Sequence, residues 1–444
     1  MAQLKFKLAQ ASGMAIAAAL MAPAAMAQEA PAEDGGLEEI VVTAQRREQS
    51  LQDVPMAISA VSGDTLRDAG ANGIDGLAAM IPSLATVSNN QPLAQSYRIR
   101  GLGTDPNIPT FEPSVALFID GVYMPRTGLG VDDLVDIARI EVLKGPQSTL
   151  YGKNATAGVI SVVSARPASE FGGSAEASIS VIQGGRDAVA KRFAGSLTGA
   201  LADGVRVRLT GVYYDADPAF RNLTPGAEQP NEMKRYAVRG QIEFDLGEAV
   251  TVNITGARSE VLDSNGTNSD WYRGTAAEPS FLLDNNAALN ALYGVSACPD
   301  NDPSNRVICT TDPNRSSSTS DMVSGTITAD LGMATLTSIT GWSKYKSSLL
   351  ATDIDQVSLP LFTFRDTQAG EAISQEVRLV SPSGGTVEWL VGGYYLDTTF
   401  ERGDRGQTAM FEVQGAAPRF SIPGAPSPLI VYGQNGDKGY LDSR

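Results

Sequence analysis

The sequence contains no histidine, only two cysteines, and more acidic than basic residues. Without histidine the commonest general base and metal ligand is missing, so histidine-dependent catalysis and most zinc sites are excluded. The 34 Lys and Arg against 50 Asp and Glu leave a net charge of −16, which is unfavourable for binding nucleic acid. We therefore predict no cofactor, no metal site and no nucleic-acid partner.

The N-terminus has the pattern of a secretory signal peptide. Lys5 and Lys7 precede a run of small and apolar residues (14–26), and we expect residues 1–27 to be removed after Ala27. The run is shorter than the ~20 apolar residues that a membrane helix needs, and the sequence contains no such stretch downstream. An exported chain that enters a membrane without helices must pair its backbone in a β-barrel, which predicts the bacterial outer membrane.

The two cysteines, Cys298 and Cys309, lie in a polar stretch rich in Asp, Asn, Pro and Ser. In an oxidising compartment such a pair is expected to close a small loop, which stabilises the fold by about 3 kcal/mol in the chain-entropy relation. A zinc site is the competing interpretation, but only these two thiols are present to build it. We predict a disulfide.

The most informative segment spans residues 139–167 and reads RIEVLKGPQSTLYGKNATAGVISVVSARP. Two β-branched runs (140–143 and 159–163) flank a glycine-rich centre, which predicts a strand, a compact turn and a strand. The segment resembles the closing part of the plug domain of TonB-dependent outer-membrane receptors; a turn-rich piece of a soluble β domain is the competing interpretation. The residues that carry the resemblance are Lys144, Gly145, Pro146, Leu150, Tyr151, Gly152 and Gly158.

The whole stretch from 54 to 167 has a compact α+β pattern. We predict strands at 54–61, 97–101 and 114–123 and helices at 63–69 and 74–81. The sequences RIRGLG (98–103) and VALFIDGVYMPR (115–126) also match the plug family in order. They add to the plug motif Arg98, Arg100, Gly101, Asp120 and Gly121.

A short β-branched cluster precedes this domain, within a charged segment (28–53) that we expect to be flexible. The cluster has no predicted strand partner nearby, which suits an edge strand that pairs with another protein. By sequence and position it resembles the TonB box, the strand through which these receptors engage TonB, which ExbB and ExbD energise. A first strand of the following domain is the other interpretation. The predicted TonB-contacting residues are Glu39, Ile40, Val41, Val42, Thr43 and Ala44.

After residue 167 the sequence changes to strands of alternating character, apolar on one face and polar on the other, as in 205–213 and 235–244. Lipid outside and water inside require the apolar face outward and the charged face, which includes Arg208 and Arg239, inward. We predict strands at 172–183, 189–201, 204–214, 234–246, 250–259, 318–331, 335–346, 371–381 and 387–399. After the first hairpin their connections alternate between short and long, which is typical of barrels with periplasmic turns and outer loops and rare in soluble sandwiches.

These strands number about nine or ten, whereas barrels that hold a plug have roughly 22. Ten strands would close to a cylinder roughly 20 Å across, which is too narrow for a plug of about 35 Å. We therefore predict an α+β plug domain (54–167) followed by an antiparallel transmembrane β-barrel that is incomplete over 168–444. We expect this chain alone not to transport.

The resemblance implies TonB-dependent transport across the outer membrane, in contact with its lipid, most commonly of an iron-siderophore complex. Siderophores bring their metal already chelated, whereas haem capture commonly uses histidine. Cobalamin, oligosaccharides and aromatic compounds stay open as cargo, because specificity depends on loops such as 260–317. A truncated receptor without function is a further alternative.

Two other classes of protein compete with this interpretation. A passive porin would have similar strands without the plug or the box. An exported enzyme without histidine would need a carboxylate pair or Ser-Lys chemistry, but we expect the acidic residues Asp120, Asp132, Asp133 and Asp136 to be solvated on loops and turns. We predict no catalytic residue and no enzymatic activity.

Overall fold

The computed structural model describes residues 41–43, 46–47, 49–71, 73–88, 95–105, 111–127, 135–182, 187–218, 221–224, 233–263, 287, 291, 307–308, 315–353, 362–403 and 412–413. These residues form an α+β unit and a long antiparallel sheet. Within those ranges, no helix combines the length and apolarity needed to cross a membrane. The expected signal peptide, Cys298 and Cys309 lie outside the described residues.

The α+β unit is built around a mixed sheet of five strands. Its elements are β1 (Val41–Val42), β2 (Gln49–Ser50), β3 (Ile58–Ser62), α1 (Gly63–Asp68), α2 (Ile74–Met80), β4 (Leu84–Ser88), β5 (Gln95–Ile99), β6 (Val115–Ile119), β7 (Val122–Met124), β8 (Ile137–Lys144), α3 (Ser148–Tyr151) and β9 (Gly158–Ser164). The sheet order is β3–β8–β9–β6–β7, and only the β6–β9 pair is parallel among these described strands. Leu117 and Phe118 of β6 pack into different apolar clusters, so both faces of the sheet are covered.

The single strand predicted over 114–123 is wrong, because a tight turn divides it into β6 and β7. Asp120 and Gly121 form this turn with φ of 50° and 82°. Two successive positive φ angles are those of a type I′ turn, which Asp-Gly favours between antiparallel strands. A Cβ on Gly121 would lie 2.8 Å from Cδ1 of Ile339, so the turn presses against the neighbouring sheet.

The long sheet contains nine strands in sequential order, with one short strand added at the side. They are β10 (Gly172–Ile182), β11 (Ala188–Ala202), β12 (Val205–Ala216), β14 (Met233–Leu246), β15 (Val250–Asp263), β17 (Arg315–Asp330), β18 (Thr335–Asp353), β19 (Phe362–Val380) and β20 (Leu390–Arg402). The side strand is β21 (Glu412–Val413), which pairs with β19, and β13 (Arg221–Asn222) pairs separately with β16 (Val307–Ile308).

All nine predicted strands of this sheet are confirmed, but two of them extend at least seven residues beyond the predicted bounds. β18 continues to Asp353 rather than 346, and β19 begins at Phe362 rather than 371. Their added ends pair with each other, for example Ser347 with Gln368. These ends lack a clear apolar alternation, so the pairing partner rather than the sequence pattern maintains them as strands.

The two faces of the sheet differ as the alternation predicted. Leu209 is 59% exposed on the outward face, whereas its neighbour Thr210 is 6% exposed on the inward face. The α+β unit packs on the inward face, where Met322, Ile339 and Tyr345 of the sheet join its apolar core. Among the described strands, β10 and β20 end the sheet and do not pair with each other, as predicted for an incomplete barrel.

Candidate functional site

The predicted TonB-contacting strand has a partner within this chain, contrary to the expectation that it stands alone. Val41 and Val42 pair antiparallel with Ser50 and Gln49. The Val42 side chain is fully buried and packs against Val54. Glu39, Ile40 and Ala44 lie outside the described residues. We call the described residues Val41–Thr43, Arg46 and Arg47 the N-terminal arm.

Thr43 attaches the arm to the core of the α+β unit through Glu141. The Thr43 backbone N–H and hydroxyl both donate to Oε1 of Glu141, at 2.8 and 2.9 Å. Arg139 donates to the same oxygen at 2.7 Å and to the Thr43 hydroxyl at 2.7 Å. Because Glu141 is fully buried, these charge-assisted hydrogen bonds are sheltered from water.

Arg46 attaches the arm to the plug motif and to the sheet at once. Its guanidinium lies 4.1 Å from the ring centroid of Tyr151 and 5.4 Å from that of Phe118. It also forms an ion pair of 3.0 Å with Glu376 of β19 and donates to the Leu150 carbonyl oxygen. Burial raises the pKa of Tyr151 to about 12, while Arg46 acts in the opposite direction, so the stacked ring stays a neutral phenol.

Arg47 extends the attachment to the short connection between β19 and β20. It donates to the carbonyl oxygens of Trp389 and Ser381, at 2.6 and 3.2 Å, and pairs with Glu388 at 3.2 Å. The arm therefore lies at the short-turn end of the sheet. In the conformation described, it is joined both to the α+β core and to the long sheet, which we call the wall.

Two of the plug-motif residues, Leu150 and Tyr151, contact the arm. Leu150 and Tyr151 lie on α3 beneath Arg46. Gly158 opens β9 where a Cβ would lie 2.4 Å from the Leu143 carbonyl oxygen, so only glycine fits the close strand approach there. The remaining residues shape turns and strand ends: Lys144, Gly145, Pro146 and Gly152 around α3, and Arg98, Arg100 and Gly101 around the end of β5.

The expectation that Asp136 is solvated is wrong. The Asp136 side chain is only 6% exposed and is clamped by the wall strands β12 and β14. Arg208 donates to both carboxylate oxygens, Thr210 donates at 2.5 Å, and Arg239 approaches at 3.7 Å. Arg239 also donates to the Asp136 carbonyl oxygen at 2.8 Å.

The electrostatics of this clamp favour the ionised carboxylate. Burial alone would raise the pKa of Asp136, but the hydrogen bonds from Arg208 and Thr210 and the charge of Arg239 lower it overall. The sequence alternation correctly predicted that both arginines face inward. It could not find their partner, which lies 72 residues before Arg208 and 103 residues before Arg239.

The other three acidic residues that we expected to be solvated have different outcomes. Asp120 is also not simply solvated, because its Oδ1 accepts from the Ser164 backbone N–H at 2.8 Å and its Oδ2 is buried. Asp132 and Asp133 lie outside the described residues, as do the cysteines of the predicted disulfide. Among the described residues, no three Asp, Glu, Cys or His side chains converge on a possible metal position.

Comparison with known proteins finds the family called TonB-dependent Receptor Plug Domain at residues 50–159. The chain is 30% identical over 192 residues to the pesticin receptor of Yersinia enterocolitica, covering 43% of this chain and 27% of that protein. It is 30% identical over 248 residues to the vitamin B12 transporter BtuB of Vibrio vulnificus, covering 53% of this chain and 38% of that protein.

The fold is that of a solved uptake receptor. The ferric yersiniabactin uptake receptor FyuA of Yersinia pestis superposes with a TM-score of 0.60 at 18% identity, over 81% of this chain and 50% of that one. The chain thus spans about half the length of this structure and less than two fifths of the two curated relatives.

Proposed function

Because the chain carries the plug domain of the TonB-dependent receptors together with barrel strands of their kind, we propose that it serves energised uptake of a scarce solute across the bacterial outer membrane. TonB, driven by ExbB and ExbD, pulls on the N-terminal arm from the periplasm. We assign no catalytic residue.

The packing of the α+β unit supports a gated pore rather than an open one. Its core is continuous with Met322, Ile339 and Tyr345 on the inward face of the wall, so it obstructs the space that the wall surrounds. A passive porin would leave an aqueous channel there. The outer membrane holds no nucleotide or ion gradient, so work to move a plug must arrive mechanically through a protein.

The observation that carries the proposal is the position of the arm. It lies at the short-turn end and contacts both the plug motif, through Arg46 on Tyr151, and the wall, through Glu376. Tension on such an arm acts at once on the contacts between plug and wall. A strand that must be gripped by its backbone suits pairing with the sheet edge of a partner.

The test separates pairing with TonB from pairing within the chain. Val41→Pro removes a backbone donor and fixes φ in the predicted box. We expect it to weaken binding of the purified TonB C-terminal domain at least ~10-fold, or about 1.4 kcal/mol. Solute binding at the outer surface should be unchanged.

Gln49→Pro is the matched control, because it disrupts the intrachain partner of Val42 and leaves the box intact. We expect this variant to bind TonB at least as well as the native chain. Equal loss of TonB binding in both variants would assign Val41–Val42 to the plug fold and refute its role as a handle.

We propose a ferric siderophore as the solute, since it needs no histidine from the protein. Cobalamin is the second candidate, because a relative named as a vitamin B12 transporter matches 53% of this chain. Binding of ⁵⁵Fe-siderophores and of ⁵⁷Co-cobalamin to outer membranes that contain this chain, prepared from cells lacking their own receptors, distinguishes the two. Oligosaccharides and aromatic compounds serve as further ligands in the same assay.

A further inference from the structure

On the last eight strands of the long sheet (β11, β12, β14, β15 and β17 to β20), the outward face changes from uncharged near the short turns to charged near the long loops. On each strand, all outward residues between the short-turn end and the first charged residue are uncharged. Further outward-facing charges, such as Glu260, Lys346 and Glu401, lie only beyond it. In chain order the first charged residues are Lys191, Asp215, Lys234, Arg258, Asp321, Lys344, Glu371 and Asp397.

These boundary charges do not follow one register row of the sheet. From β11 to β20 they lie progressively nearer the short-turn end. Lys191, Asp215 and Lys234 share one register row. Traced through the pairings, that row reaches Leu262, Ser317, Ser348 and Thr367, and then Gly403, whose N–H donates to the Thr367 carbonyl oxygen. Arg258, Asp321, Lys344 and Glu371 each lie four residues nearer the short turns than this row, and Asp397 lies six residues nearer.

The slope of this boundary is close to the tilt that a transmembrane strand requires. Six residues at ~3.4 Å per residue give a descent of about 20 Å, and seven strand spacings of ~4.8 Å give a width of about 34 Å. The boundary is therefore inclined by about 30° to the hydrogen-bonding direction. Strands of outer-membrane barrels tilt by ~35–45°, so a flat plane cutting them would trace a line of this kind.

Aromatic side chains follow the same line. On five of the eight strands, the next outward-facing residue on the short-turn side of the first charge is aromatic: Phe193, Tyr213, Tyr236, Trp342 and Tyr395. Tyr and Trp concentrate where a bilayer passes from hydrocarbon to headgroups, because their rings are apolar and their edges are polar. An aromatic belt that descends with the charges is expected of a planar lipid interface.

We propose that this boundary is the level at which the wall leaves the hydrocarbon of the outer leaflet, and that the charged residues beyond it contact lipid headgroups. The inference rests on the proposed function, which places the sheet in a membrane. A Lys or Arg below the line would be destabilising, because its charge would lie in hydrocarbon. Above it, opposite charges compensate one another across strands, as Arg258 does with Asp321 at 2.9 Å.

A protein partner fits these observations less well than lipid does. A docking surface would follow the contour of its partner, whereas this boundary stays monotonic over eight strands. Below the line the outward face carries aliphatic side chains such as Ile254, Ile327 and Val377, each 43–44% exposed. The band is uncharged, and the polar Thr340 within it donates a hydrogen bond of 2.6 Å to Gln375, so these polar groups pair with each other, as contact with acyl chains requires.

The test uses two positions that share one register row but lie on opposite sides of the proposed boundary. Val238 of β14 and Thr399 of β20 occupy the row that also contains Arg258 and Glu371. Val238→Cys and Thr399→Cys, each made with serine replacing both native cysteines, are spin-labelled in outer-membrane vesicles. Collisions with oxygen, which concentrates in hydrocarbon, and with a water-soluble nickel chelate measure the depth of each label.

We expect the label at Val238 to collide mainly with oxygen and the label at Thr399 mainly with the nickel chelate, with at least a fivefold difference in their collision ratio. Equal depth of the two labels within the hydrocarbon would overturn the sloping boundary and leave the membrane location intact. If both labels, and a third at Ile254, meet only the nickel chelate, the membrane location itself is refuted together with the inference.

Discussion

Replacing Asp136 by asparagine removes the negative charge by which the plug is clamped to the wall, while its size and its hydrogen bond from Thr210 are preserved. The Arg208 guanidinium then loses a carboxylate that it contacts through two nitrogens, and Arg239 loses a nearby counter-charge. Both arginines would remain with side chains only 15% and 14% exposed, facing a neutral amide.

The magnitude follows from the burial of the three side chains. Removing one partner of a fully buried ion pair costs about 3–5 kcal/mol, and a hydrogen bond to a charged group contributes about 1.5–3 kcal/mol. Because both arginines retain some contact with water, we expect the lower part of this range, about 2–3 kcal/mol. At 1.4 kcal/mol per factor of ten, opening of the contact between plug and wall becomes about 30–150 times more frequent.

Hydrogen exchange of the backbone amides in β8 and β9 measures this opening, because those strands follow the clamp directly. The matched control is Asp64→Asn, which removes an ion pair to Arg67 in which both side chains are largely exposed. An exposed pair of this spacing contributes about 0.3–0.5 kcal/mol, so exchange should change less than threefold. If Asp136→Asn changes exchange in β8 no more than Asp64→Asn does, the clamp does not hold the plug.

Two further predictions concern the same contacts. Arg46→Ala removes the stacking on Tyr151 and the ion pair with Glu376, so without solute we expect about 1–2 kcal/mol tighter TonB binding by titration, whereas Arg67→Ala should have no effect. Because the pKa of Asp136 is lowered in the folded state, its contribution is complete above the ordinary carboxyl pKa of ~3.9 and is lost as pH falls through the lowered value. The protection factors of the β8 amides, in which the intrinsic pH dependence of exchange is divided out, should therefore stay constant from pH 7 to about 5 and fall only below about 4, unless the clamp is absent.

The wall was predictable strand by strand because each of its strands meets two different environments. Alternation in 205–213 reports that difference directly, and the short connections between strands confirm the pairing. Prediction failed at the long-loop ends of β18 and β19. There the sequence, SSLLATD at 347–353, has no regular apolar alternation, and the strand is maintained by backbone pairing that leaves no periodic trace in the sequence.

The plug was predictable by motif more than by periodicity. Its strands are buried on both sides, so alternation is absent, and Val115 to Ile119 reads as one apolar run that conceals the turn at Asp120 and Gly121. The Asp-Gly pair is itself a turn signal between apolar runs. Giving it more weight than the length of the apolar run would have predicted the hairpin.

The residues that join plug to wall were the least predictable, for a physical reason. Arg208 and Arg239 were correctly placed on the inward face, but an inward charge needs a specific counter-charge only when a second body fills the interior. Asp136 belongs to a segment whose charge density, taken alone, is typical of a solvated loop. Its burial depends on the plug being seated against β12 and β14, so this contact is a property of two elements distant in the chain, and local sequence pattern cannot contain it.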